Sequence, residues 1–123
     1  MKKIYVADID AKYDSPHTNI PARTTNLELA CKAIDGTILN PGEEFSFNGV
    51  VGERTKAKGY MAATVYLDGG KSEAQEGGGV CQVSSTIYEC CLYANLEVTV
   101  RAPHMFVVSY VDQGQDATVY WGQ

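Results

Sequence analysis

The sequence has no excess of basic residues and no long apolar run. Each absence excludes one class of binding partner. Ten lysines and arginines against fifteen aspartates and glutamates give a formal net charge of -5. Nucleic-acid binders usually carry the opposite sign with clustered lysine and arginine, so we expect no nucleic-acid partner. No apolar run reaches the roughly 18 residues of a membrane-spanning helix, and residues 1–10 lack the apolar region of a signal peptide. We therefore expect no membrane contact from this domain.

The chain has few cysteines and histidines, and their spacing does not indicate a disulfide framework or a structural metal site. The four cysteines stand at positions 31, 81, 90 and 91. The last two are adjacent on a predicted helix and would point in different directions, so we expect free thiols, with a single bridge left open. The paired short spacings of structural zinc sites are missing, so we expect neither a metal nor another cofactor. At 123 residues and 45% hydrophobic content the chain can build one core unaided, and its oligomeric state stays open.

Hydrophobic periodicity predicts a single α+β domain, with two main helices packed on a mostly antiparallel sheet. The first helix should begin at a capping box of Thr25 and Glu28 and stop at Gly36. The second should span about residues 82–94, with Asn95 as its C-cap. Predicted strands lie at 64–67, with a turn at 68–70, and at 97–101, 105–111 and 117–121, and a strand pair around a turn is expected within 38–47. Residues 1–22 are predicted to form an extended arm and residues 23–123 the core.

The strongest signal for chemistry is a run of three glycines, Gly77 to Gly79, just before a predicted helix. Glycines let a backbone approach a ligand closely, and the first turn of a helix leaves amides unpaired and carries partial positive charge. A cysteine there has its thiolate favoured, and the same amides can stabilise an oxyanion. Cys81 is therefore predicted to be a nucleophile, although free cysteines are usually small buried hydrophobic residues. Substrate-binding neighbours are expected at Gly78, Gly79, Gln82 and Ser84.

A cysteine nucleophile normally needs a base, and the chain contains only two histidines. His17 lies in the polar arm, where we expect it to be solvated. His104 follows Pro103 at the start of a predicted strand, a suitable place for a base, although a surface imidazole fits equally well. Asp116 is the first candidate for the group that orients the imidazole. An aspartate that simply forms the last turn is the alternative for that residue.

Arginines and tyrosines supply candidate contacts to a substrate. Arginine binds carboxylates through two parallel hydrogen bonds, so Arg23, Arg54 and Arg101 are candidates, with structural ion pairing as the alternative. We expect Arg23 and Arg54 to contact substrate. Tyr110 is predicted to line the binding groove, although packing is the default for tyrosine.

Several motifs taken together resemble the VanW domain, which occurs in bacterial cell-envelope proteins and near glycopeptide-resistance genes. The motifs are RTTNL at 23–27, NPGEEFSFN at 40–48, GGGVCQVSST at 77–86, RAPH at 101–104, SYV at 109–111 and DATV at 116–119. Some members of that family are regarded as L,D-transpeptidases, which form 3-3 cross-links in peptidoglycan through a cysteine. The resemblance implies that Cys81 is the nucleophile, that His104 is the base and that peptidoglycan stem peptides are the partners.

The resemblance also implies a place in the cell envelope, on the extracellular face, when the domain is part of a longer exported protein. Two other functions stay open on the sequence. One is a non-catalytic module that binds cell-wall peptides, and the other is an L,D-carboxypeptidase that hydrolyses the same stem-peptide bond.

Overall fold

The computed structural model describes residues 20–66 and 72–122. These residues form an α+β domain with, in chain order, α1 (Ile20–Ile34), α2 (Phe47–Val51), a 3-10 turn (Lys56–Lys58), β1 (Ala62–Tyr66), β2 (Ser72–Glu76) and α3 (Cys81–Tyr93). The predicted fold class and both main helices are confirmed. The turn predicted at 68–70, and the predicted arm as far as residue 19, lie outside the described residues.

Helix α1 begins earlier than its expected capping box. The Thr25 hydroxyl donates to the Pro21 carbonyl at 3.0 Å, one turn back, so Thr25 lies inside the helix. Proline is tolerated in the first turn, where its missing amide hydrogen would have had no helical partner. Residues 20–22, expected in the extended arm, are therefore helical. The helix ends before Gly36, whose φ of 81° is the left-handed conformation predicted there.

The hydrophobic core lies between α1 and α3. Leu27 and Ala30 of α1 and Val83 of α3 are completely buried. The same cluster includes Ile34, Val51, Tyr60 and Val80. Each large apolar side chain that is fully removed from water contributes roughly 1.5–3 kcal/mol. The core therefore fixes the start of α3, where Cys81 lies, against the rest of the domain.

Helix α3 ends in a Schellman motif, one residue before the predicted position. Ala94 is the C-cap, and Asn95 follows it with a φ of 56°. The Asn95 amide donates to the Leu92 carbonyl at 3.2 Å, and the Leu96 amide donates to the Cys91 carbonyl at 2.9 Å. Asparagine accepts the left-handed conformation that this motif requires.

The sheet is a hairpin in which β1 pairs antiparallel with β2, from Ala62 opposite Glu76 to Tyr66 opposite Ser72. Strand β2 was not predicted, because its sequence SEAQE has none of the β-branched and aromatic residues that strands favour. It forms through pairing with β1.

The strands predicted at 97–101, 105–111 and 117–121 are wrong, since residues 96–122 contain no strand. Val100 and Val107, which lie in two of the predicted strands, are 87% and 72% exposed. The strand pair predicted within 38–47 is also wrong. Asn40 and Glu43 close a turn around Pro41 and Gly42 through hydrogen bonds, and the chain then runs irregularly to α2.

Candidate active site

The glycine turn between β2 and α3 packs so closely that side chains would not fit. A Cβ on Gly78 would lie 2.2 Å from the Ala63 carbonyl oxygen, and one on Gly79, at φ 102°, would lie 2.7 Å from Arg23 Cγ. The buried Asn26 side chain donates to the Gly78 carbonyl at 3.0 Å. Asn26, which our sequence analysis did not single out, therefore anchors this turn to α1.

Cys81 is the first residue of α3, and its sulfur contacts the backbone of Val119. The Val119 amide donates to Sγ at 3.4 Å, and the thiol donates to the Val119 carbonyl at 3.6 Å. Burial raises the pKa of the Cys81 thiol, although the Val119 hydrogen bond and the positive charges of Arg54 and Arg23 act in the opposite direction. Burial thus favours the thiol form of Cys81, in the opposite direction to the thiolate expected from the helix start.

The first amides of α3 are less available than a helix start usually offers. The Gln82 amide donates to the Gly79 carbonyl at 3.0 Å, and the amides of Val83 and Ser84 donate to the Val80 carbonyl at 3.0 and 3.1 Å. These three amides, which we expected to be available for an oxyanion, are already engaged within the turn.

His104 is held by a carboxylate, as the sequence suggested. Its Nδ1 lies 2.6 Å from Asp116 Oδ2, and its backbone amide donates to the same oxygen at 2.6 Å. The other carboxylate oxygen forms an ion pair with Arg101 at 3.2 Å. Burial alone would raise the pKa of Asp116, but the hydrogen bonds from His104 lower it below its ordinary value of 3.8. Asp116 is therefore ionised at neutral pH. The second ring nitrogen of His104, Nε2, lies 3.2 Å from the Tyr110 hydroxyl oxygen.

The C-terminal segment, residues 116–119, connects the two halves of the site. Asp116 holds His104 and Val119 contacts Cys81, as described above. Between them, the Ala117 carbonyl accepts from the hydroxyls of Ser84 at 2.6 Å and Ser85 at 3.1 Å, and the Ala117 amide donates to Ser85 Oγ at 2.9 Å. Ser84, expected to bind substrate, fixes this segment on α3. Ser85 contributes in the same way through its buried hydroxyl, and no sequence pattern had pointed to it.

Two buried arginines stand beside Cys81. Arg23 donates to the Thr64 carbonyl at 2.8 Å. Arg54 donates to Asn48 Oδ1 at 2.6 Å and to the Gly52 carbonyl at 2.9 Å. The Arg54 guanidinium also lies over the rings of Phe47 and Trp121, at 5.8 and 5.9 Å from their centroids. Arg101, by contrast, is committed to Asp116 and stacks over Tyr88.

These groups surround one open pocket of about 310 Å³. Of the residues predicted from the sequence, it is lined by Cys81, His104, Tyr110, Gly79, Arg23 and Arg54. Four predicted residues of the described chain do not line the pocket: Gly78, Gln82, Ser84 and Asp116. All four are buried, and Asp116 acts on the pocket through its hydrogen bonds to His104. Three aromatic residues at the pocket, Phe106, Tyr120 and Trp121, were not predicted. All four cysteines are free thiols, as expected.

Comparison with known proteins places the chain in a family. The family model described as VanW like protein matches residues 22–123. The chain belongs to the VanW-like family. It is 48% identical to YoaR of Bacillus subtilis over 101 residues, which are 82% of this chain and 33% of YoaR. It is 33% identical to the vancomycin B-type resistance protein VanW of Enterococcus faecalis over 102 residues, which are 79% of this chain and 37% of that protein.

This VanW-like chain thus spans about a third of the length of these two relatives. No solved structure matches it. None of the helices in residues 20–66 and 72–122 has the length and apolar character needed to cross a membrane. Within the same residues, no three histidine, cysteine or acidic side chains converge as metal ligands would.

Proposed function

We propose that this VanW-like domain is a cysteine-dependent L,D-transpeptidase that forms 3-3 cross-links between peptidoglycan stem peptides in the cell envelope. The observation that carries the proposal is the lining of one pocket by the Cys81 thiol and by a His104 imidazole that Asp116 holds. A nucleophile, a base and a group that orients the base are the parts that acyl transfer requires. The relative whose name refers to vancomycin resistance supports a substrate in the cell wall.

In the first half of the reaction, His104 takes the proton of the Cys81 thiol. A base is needed because burial favours the thiol form of Cys81. The sulfur then attacks the carbonyl carbon between the L-centre and the terminal D-residue of a donor stem. Because the Gln82, Val83 and Ser84 amides are engaged, the amides of Gly79 and Cys81 are the candidate donors to the oxyanion. The terminal D-residue leaves as an amine that takes its proton from His104.

In the second half, the amine of a neighbouring stem attacks the thioester. His104 takes a proton from that amine, the carbon–sulfur bond breaks, and the sulfur leaves as a thiolate that regains its proton from His104. Water in place of the amine would make the same site an L,D-carboxypeptidase, so the acceptor alone distinguishes these two activities.

The two buried arginines favour an anionic donor. Arg23 and Arg54 put two positive charges at the pocket of a chain whose net charge is -5. Stem peptides carry carboxylates close to the scissile bond, and guanidinium groups bind carboxylates with directed, charge-assisted hydrogen bonds. We propose that these arginines hold the donor stem by its carboxylate.

One observation favours a second function, a module that binds cell-wall peptides without catalysis. Burial raises the pKa of Cys81, whereas the pKa of a catalytic cysteine is usually lowered. In such a module the arginines would hold the peptide and Cys81 would be a packing residue.

The decisive experiment incubates the chain with a muropeptide that carries tetrapeptide stems and measures the intact mass of the protein. We expect a thioester adduct that is lost in Cys81→Ala and kept in Cys90→Ala, whose cysteine lies outside the pocket. His104→Ala should keep the fold by circular dichroism but acylate about 10²- to 10⁴-fold more slowly. Mass spectrometry of the released peptides then separates cross-linking from hydrolysis. Peptide binding without any adduct on the native chain would favour the binding module.

A further inference from the structure

We propose that the Tyr110 hydroxyl is a further catalytic group, a proton relay that joins the reacting atoms in the pocket to His104. The inference rests on the proposed acyl transfer and adds one residue to it. It starts from a gap in the two-residue mechanism. Both nitrogens of the His104 ring are engaged, by Asp116 and Tyr110, and the two hydrogen bonds of the Cys81 sulfur both go to Val119.

The hydrogen bonds of His104 define the direction of the relay. Asp116 is a carboxylate and accepts, so the hydrogen of a neutral imidazole is on Nδ1. Nε2 is then an acceptor, and the Tyr110 hydroxyl, 3.2 Å away, is its donor. The Nε2 lone pair that makes His104 a base therefore already accepts a hydrogen bond from the Tyr110 hydroxyl. A proton from the pocket reaches that lone pair through the tyrosine oxygen.

Tyr110 is held well enough for such a role. The residue is 8% exposed, and its ring meets the His104 ring edge-on at 77°, with centroids 6.1 Å apart. Tyr110 lines the same pocket as Cys81 and His104. A hydroxyl both donates one hydrogen and accepts through its lone pairs, so it can pass a proton without holding a charge.

The relay balances in both directions. When the thiol turns from the Val119 carbonyl towards Tyr110, the proton on Sγ moves to the tyrosine oxygen while the tyrosine proton moves to Nε2. The S–H and O–H bonds break and new O–H and N–H bonds form, leaving a thiolate, a neutral tyrosine and an imidazolium beside Asp116. As the C–N bond of the donor breaks, the leaving amine takes the tyrosine proton, and Nε2 returns its own to the tyrosine oxygen. The acceptor amine then loses its proton by the forward route.

The test compares Tyr110→Phe with Tyr93→Phe, a matched change on an exposed tyrosine at the far end of α3. Phenylalanine keeps the ring against His104 and removes only the hydroxyl. We expect Tyr110→Phe to lower the acylation rate constant by about 10²-fold, within the range of general acid–base groups, with little change in KM. Tyr93→Phe should be unchanged. A Tyr110→Phe rate equal to or above that of the native chain would overturn the relay, because a tyrosine that merely blocks Nε2 should free the base when removed.

Two further measurements keep the outcome clear. Iodoacetamide labelling of Cys81, followed by mass spectrometry of its peptide, needs no stem peptide. The relay predicts slower labelling at neutral pH in Tyr110→Phe, because the hydroxyl stabilises the thiolate–imidazolium pair. If the native chain forms no thioester, the proposed transpeptidase fails while this labelling still decides for or against the relay.

If Tyr110→Phe does not fold, the acylation rate of the native chain in H₂O–D₂O mixtures tests the relay. Two protons in flight give a curved dependence, and a linear dependence would reject the relay.

Discussion

The pocket has two walls that are built in different ways. The Cys81 wall consists of the glycine turn and the start of α3, held by close packing and by the core around Val83. The His104 wall consists of residues 101–119, which form no helix or strand and are held by hydrogen bonds between side chains and backbone. The nucleophile is thus positioned by regular structure, whereas the base is positioned by a few polar contacts. Single polar substitutions should therefore disturb the base far more than the nucleophile.

The largest expected effect comes from Asp116→Asn on the His104 wall. An asparagine can present its NH₂ group to His104 Nδ1 and so favour the wrong tautomer. We expect the acylation rate to fall by about 10²- to 10⁴-fold with the fold retained. Asp112→Asn, an exposed aspartate in the preceding turn, is the control and should have no effect. If Asp116→Asn acylated at the native rate, the carboxylate would not orient the base.

A smaller effect, on stability, is expected from Gly78→Ala on the Cys81 wall. The new methyl group would lie 2.2 Å from the Ala63 carbonyl oxygen, a backbone atom that cannot move aside. We expect the free energy of unfolding in urea to fall by roughly 1–3 kcal/mol or more, as for other overpacked sites. Gly49→Ala is the control: it lies in α2, its nearest contact is the Ser46 side chain at 3.2 Å, and its effect should stay within about 1 kcal/mol. Equal losses in both variants would show that the turn is not tightly packed.

The smallest effect is expected from Ser85→Ala, which tests the connection between the walls. The change removes both hydrogen bonds of Ser85 with Ala117, but Ser84 still donates to the Ala117 carbonyl. We expect a loss of about 1 kcal/mol in unfolding free energy. Thr86→Ala removes only a bond to the Gln82 carbonyl within α3, and should cost less than about 0.5 kcal/mol. If Thr86→Ala lost as much unfolding free energy as Ser85→Ala, the hydrogen bonds between Ser85 and Ala117 would add no stability beyond that of a bond within α3. Residues 116–119 would then not join the two walls.

The Cys81 wall could largely be predicted from sequence. Glycines followed by an apolar helical stripe indicate a turn and a helix through local rules, and both are present. The alternation of Val98 and Val100 follows an equally local rule, yet no strand forms there, because a strand needs a partner and residues 96–122 have no ladder. The pairing of His104 with Asp116 was suggested only because each residue type suits the chemistry. The geometry of this pair depends on how the chain runs between residues 104 and 116, and hydrophobic periodicity does not predict that path.

Local patterns and motifs of fixed spacing were enough to predict the family, the α+β class, the two long helices and the position of Cys81 at the start of α3. The burial of the Cys81 thiol, the engagement of both His104 nitrogens and the association of residues 116–119 with both walls became visible only in the folded chain. Desolvation and hydrogen-bond partners depend on which distant segments surround a group, and that information exists only once the chain has folded.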